Sequence, residues 1–185
     1  MAGGALASAF IPTFAGILAG GDEDSAWRLA SNIINILFVA LGLASVVCAV
    51  LAEPLVRYIV APGFDPQRQV LTTNLVRLML ISPVVFAISG VCMGILNSYR
   101  CFLAPALAPS AYNLCIIVGA LFLAPRFSVY GLAVGGVLGS IMHLLVQLPQ
   151  ILRRRPRYRL SLGLGSPHVR EVVRLMLPRT VGLAA

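Results

Sequence analysis

The chain has 185 residues, 59% of them hydrophobic and 11% charged, against about 25% charged in soluble proteins. One domain is the expectation for that length. The formal net charge is +8 and every basic residue is an arginine, yet most charges stand between apolar runs rather than inside them. That placement predicts an all-α polytopic membrane protein and excludes a nucleic-acid binder, which needs a basic face on a water-soluble surface.

Residues 1–20 are apolar with Pro12 in the middle. They lack the basic leading region of a signal peptide and read as the end of a helix that begins upstream in a longer protein. Residues 20–28 form a polar connector. Asp22, Glu23 and Asp24 suit the positive end of the next helix, and Trp27 reads as an interface anchor. A span is expected over 26–60. Asn32 and Asn35 are three apart and share a face, which should point at other helices because amides in hydrocarbon seek partners.

The stretch APGFDPQR breaks the pattern, and Asp65 with Pro66 predicts an N-cap and first helical position. The span expected over 66–98 has an apolar run over 70–96 that would be about 40 Å long as a helix, against a hydrocarbon core of about 30 Å. It must tilt or project into water. Arg77, in its first turns, either snorkels to the surface or faces an internal cavity, where an intramembrane charge serves function.

A polar turn at Asn97, Ser98, Tyr99 and Arg100 leads to a span over 102–124. Pro105 and Pro109 each remove a backbone donor there and predict breaks in the helix. Asn113 follows one turn later, as a packing hydrogen bond or a ligand contact. In the span over 128–152, Gly131, Gly135 and Gly139 make a small-residue face that lets another helix approach closely. His143 and Gln147 continue that row, and an interhelical hydrogen bond is the expected role of His143. The basic loop over 153–165 holds Arg153, Arg154, Arg155, Arg157 and Arg159, which read as a cytoplasmic flank holding anionic lipid. Ser166 and Pro167 open a last helix over 167–185, with Arg170, Glu171 and Arg174.

Arg28, Arg100 and the five arginines of the loop fall on one side of the spans; Arg57, Arg68 and Arg126 fall on the other. The positive-inside rule places the first side in the cytoplasm. The four cysteines, Cys48, Cys92, Cys101 and Cys115, have no metal-ligand spacing and read as packing residues, so no metal, disulfide or cofactor is expected. With no P-loop, HExxH or GxSxG motif and few acids, the sequence does not predict an enzyme.

Several stretches together resemble one family. GALASAFIPTF, APGF, LNSYRCFLAPALAPSAYNL, GSIMHLLVQLP and LMLP occur in the order found in the MurJ/MviN family of lipid II flippases, within the MOP exporter superfamily. The resemblance covers essentially the whole chain. It implies helical hairpins forming part of the N-terminal lobe of a MATE-like, alternating-access transporter in the bacterial cytoplasmic membrane. It also implies that the first helix and the second lobe are missing, and that the piece is inactive alone. The implied ligand of the complete protein is lipid II, an undecaprenyl-pyrophosphate-linked muropeptide, alongside membrane lipids. Arg179, near the start of a helix that resembles a cavity-lining one, is the first candidate for its headgroup, with Arg77 and Asn113 behind it. A multidrug or polysaccharide-precursor exporter of the same superfamily, and a non-transporting membrane partner, are the alternative readings.

Overall fold

The computed structural model describes residues 2–163, 167, 169–172 and 174, and all regular structure among them is helical. After α1 (Ala2–Ala19), α2 (Glu23–Val50) begins at an Asp22 cap whose Oδ1 accepts the Ser25 N–H at 2.9 Å. Glu23 and Asp24 in its first turn face the positive end of the helix dipole. Beyond a turn at Leu51 the chain continues through α3 (Ala52–Leu55) and a π-helical turn (Val56–Val60).

The next span is two helices rather than one. α4 (Pro66–Met79) and α5 (Ile81–Ser98) meet at Leu80. Pro83, in the first turn of α5, has no N–H for the carbonyl of Met79 and crowds it with its ring, so the helix bends there. The carbonyl of Leu80 accepts Ser45 Oγ at 3.1 Å, which ties the bend to α2. Asp65 caps α4 by accepting the Arg68 N–H at 3.3 Å, with Pro66 in the opening turn.

The proline-bearing span differs in the other direction. α6 (Leu103–Val118) is continuous through both prolines. Pro105 sits in the first turn, where an N–H has no intrahelical partner anyway. The irregularity comes later, as a π-helical turn (Gly119–Leu123) leading into α7 (Ala124–Phe127). A reversal at Ser128, with φ 53°, leads into α8 (Val129–Leu145), and α9 (Leu148–Arg153) follows.

The continuous stretches Glu23–Val50, Pro66–Ser98, Leu103–Phe127 and Val129–Arg153 are each long and apolar enough to cross a membrane. The core joins Phe10 and Phe14 of α1 to Trp27 and Ile33 of α2, Val91, Ile95 and Leu96 of α5, and Val169 and Val172. Trp27 is not an interface anchor: it is 4% exposed, edge-on to Phe14 at 6.3 Å and stacked on Tyr99 at 6.5 Å. Large apolar side chains point outward instead, among them Phe38, Leu43 and Val46 on α2 and Leu114 and Ile117 on α6. Such a surface suits hydrocarbon, provided the backbone is internally bonded as it is in these helices.

Candidate functional site

One end of the bundle is closed by a strap. Residues 157–163 are not helical and lie against the first half of α2. Asn35 Nδ2 donates to the carbonyls of Arg159 (3.0 Å) and Ser161 (2.8 Å), and its Oδ1 accepts the Tyr158 hydroxyl. Asn32 Oδ1 accepts Ser161 Oγ at 2.9 Å. Ser31 Oγ accepts the Arg159 N–H at 3.2 Å while donating to the Trp27 carbonyl at 2.7 Å. The amides of α2 therefore meet a loop, not a neighbouring helix. A non-helical segment has unpaired backbone groups to offer, whereas those of a helix are already spent. Gly163 ends the strap at φ 48°, and a Cβ there would come within 2.0 Å of Asn32 Nδ2.

Arginines hold the strap and its root. Arg157 pairs with Asp24, and that carboxylate holds the guanidinium still further above its usual range. Arg154 lies 4.8 Å over the Tyr99 ring and donates from Nη2 to Cys101 Sγ at 2.9 Å. Burial, with Glu23 nearby, pushes the Tyr99 phenol up. Arg153, Arg155 and Arg159 remain exposed beside them. Two of the five loop arginines thus serve the fold, and three present their charge outward.

Deep between α5 and α8 lies a polar trio. Gln147 Nε2 donates to Ser89 Oγ (2.7 Å) and to the His143 carbonyl (2.9 Å), and Ser89 Oγ stands 2.7 Å from His143 Nδ1. Gln147 binds Ser89 and Ser89 binds the His143 ring, so the three side chains form one hydrogen-bonded group between the two helices. No carboxylate joins the trio by a hydrogen bond among the described residues, so the orienting third group of a nucleophile–base pair is missing. Ser89 was not singled out in the sequence; its distance from His143 in the chain gave no signal.

The glycine row of α8 packs on α6 and its continuation. A Cβ on Gly131 would lie 2.4 Å from the Ala124 nitrogen, one on Gly135 3.1 Å from the Gly119 Cα, and one on Gly139 2.7 Å from the Tyr112 ring. The backbones touch because the side chains are absent.

At the far end of α2 is a cleft of about 340 Å³, lined by Glu53, Arg57, Gln69, Thr73, Asn74 and Arg77 with Pro66 and Val70. Arg77 Nε donates to the Ala49 carbonyl at 3.0 Å. Asn113 is exposed on α6, away from this cleft, with no hydrogen-bond partner given by the described residues. Arg179 lies outside the described residues. The structure thus separates Arg77 from Asn113, and it puts Glu53 and Arg57 beside Arg77, a grouping that sequence spacing across the APGFDPQR break did not reveal. Among the described residues no His, Cys, Asp and Glu cluster suits a metal.

Apolar spans, an outward-facing apolar surface and one arginine-rich end define an all-α polytopic membrane protein. The model of the family described as "Lipid II flippase MurJ" matches residues 1–185, and the chain belongs to that family. It is 33% identical to a probable lipid II flippase MurJ of Bdellovibrio bacteriovorus, over 97% of this chain and 35% of the relative. It is 30% identical to the lipid II flippase MurJ of Burkholderia cenocepacia, over 98% and 36%. A probable lipid II flippase MurJ of Rhizobium tropici is 29% identical over 96% and 35%. The chain spans about a third of the length of these relatives. These relatives bear the names of transporters, not of enzymes.

Proposed function

We propose that the chain forms part of the N-terminal lobe of a flippase that moves lipid II across the bacterial cytoplasmic membrane for cell-wall synthesis. The family match over every residue carries this reading. The spans fit it, because a lipid-linked muropeptide has a charged, sugar-bearing headgroup that hydrocarbon strongly disfavours. A protein that offers the headgroup a polar route by alternating access needs no bond made or broken, and the undecaprenyl tail stays in lipid throughout.

In this reading the strap end faces the cytoplasm, and Arg153, Arg155 and Arg159 meet anionic lipid there. Asn113 and Arg179 are the candidates for headgroup contact. An exposed amide in the middle of an apolar helix is disfavoured against lipid, which supports a polar cavity on that side of α6. An arginine suits a pyrophosphate through paired, charge-assisted hydrogen bonds. The α6–α8 seam, closed backbone to backbone, makes those two spans a rigid unit that moves whole.

The test is a chimera. This chain replaces the matching segment of the Burkholderia cenocepacia relative in a strain depleted of its own flippase. The expected result is growth and lipid II translocation, both weakened by Arg179→Ala. A chimera that reaches the membrane at normal level and leaves lipid II in the inner leaflet overturns the proposal.

A further inference from the structure

The cleft at the far end of α2 has no role in that reading. α2 is 28 residues, about 42 Å, long, so the cleft lies on the opposite side of the membrane from the strap. Its charges are unmatched. Arg57 lies 5.6 Å from the neighbouring Tyr58 ring, and Arg77 uses Nε on the Ala49 carbonyl and keeps its terminal amino groups free. Among the described residues the ion pairs are Arg68 with Asp65 and Arg157 with Asp24, so Glu53, Arg57 and Arg77 form none. Two guanidiniums and one carboxylate, held apart in one concavity, complement a ligand with an anionic and a cationic group. Guanidiniums favour phosphate oxygens, and a carboxylate favours an ammonium. The volume is at the small end of ligand pockets, which start near ~300 Å³.

The surroundings select an amphiphile. Val50, Leu51, Ile59, Val60 and Met79, near the lining residues in the chain, are exposed and apolar, as is Val70 in the lining itself. A charged cleft edged by bare hydrocarbon-loving side chains is the profile of a membrane–water boundary. An acyl chain leaving the cleft would run down the exposed face of α2, past Val46 and Leu43. We propose that this cleft binds the phosphoethanolamine headgroup of a bilayer phospholipid. Arg57, Arg77 and the Asn74 amide hold the phosphate, and Glu53 holds the ammonium. The lipid bridges α3 and the π-helical turn to α4, next to the bend at Leu80. This site stands whether or not the parent protein moves lipid II.

Native mass spectrometry of the purified full chain in detergent tests it. The probes are phosphatidylethanolamine and phosphatidylglycerol with identical acyl chains, and inorganic phosphate. Phosphatidylethanolamine is expected to bind about fivefold more tightly than phosphatidylglycerol, a difference of the size one exposed ion pair gives. Arg57→Gln with Arg77→Gln weakens it by about tenfold, the usual scale for losing charge-assisted bonds. Glu53→Gln removes the preference between the two lipids, and as a single exposed substitution it decides the matter even if the double variant loses its helical circular dichroism. Arg126→Gln, an exposed arginine outside the cleft lining, leaves the preference intact. Equal binding of both lipids by the wild type, a preference that survives Glu53→Gln, or displacement of the lipid by inorganic phosphate overturns the proposal; the last would make it a site for a free anion.

Discussion

α8 and the strap are each fastened to a neighbour, but by opposite means. α8 meets α6 where Gly131, Gly135 and Gly139 have nothing to insert, and the backbones close on one another. The strap meets α2 through Ser31, Asn32 and Asn35, whose side chains bond to backbone groups of residues 159 and 161 and to the Ser161 hydroxyl. The first seam lies within spans, where no hydrophobic drive between helices exists and close van der Waals approach must replace it. The second lies at an end of the bundle, where an irregular backbone needs partners for its polar groups. One chain thus uses missing side chains in the middle of the membrane and long polar ones at its edge.

The sharpest way to break that contrast is at Gly131. A methyl group there meets backbone atoms of Leu123 and Ala124 at 2.4 Å, and backbone gives way less easily than a side chain. Gly131→Ala is expected to destabilise by about 3 kcal/mol, the upper range for overpacking. Gly136, on the same helix, has nothing within 4 Å of such a methyl, and Gly136→Ala should stabilise by about 0.5–1 kcal/mol through helix propensity alone. Unfolding of the detergent-solubilised chain by added SDS measures both. Equal, small effects would show that the α6–α8 seam has slack.

A smaller effect is expected at the strap. Asn35→Ala deletes two donated bonds and one accepted from Tyr158, but water at the bundle's end can replace part of them. The cost is about 1–2 kcal/mol, and it should fall locally. Proteolysis between residues 157 and 163 speeds up, while SDS unfolding shifts less than for Gly131→Ala. A global loss with an unchanged cleavage rate would mean that the strap is part of the core rather than a fastening over it.

These two seams also mark what a sequence discloses. The glycine spacing in α8 named its contact face without naming the partner, because a period is a local property. The Asp65–Pro66 start of α4 and the four spans were legible for the same reason. Asn32 and Asn35 were visible as a polar pair, yet their partners lie more than 120 residues further on, in a segment with no period to read. The bend at Leu80 was written in Pro83, but hydropathy runs unbroken across it. Pro105 and Pro109 misled in the opposite sense, since the first fell where a helix has a donor to spare. In the site, Arg77 was legible as an unusual charge. Its companions Glu53 and Arg57 were not, because two turns and a π-helical distortion bring them to it.

The smallest effect separates burial from charge at the root of the strap. Arg154 over the Tyr99 ring favours the phenolate, whereas burial and Glu23 favour the neutral phenol, and burial dominates. The folded pKa is therefore raised above the usual value near ~10. Below that value Tyr99 is protonated in both folded and unfolded chains and adds no pH dependence. Above it the unfolded chain loses the proton first, so the folded state binds more protons and stability falls as pH rises until the folded pKa is passed. Tyr99→Phe has no proton to lose. The stability of wild type minus that of Tyr99→Phe should be level up to about pH 9 and decline above about pH 10. A rise over the same interval would mean that the Arg154 cation, not the surrounding apolar side chains, governs this tyrosine, and the strap's root would then be held by charge as its tip is by Arg157 and Asp24.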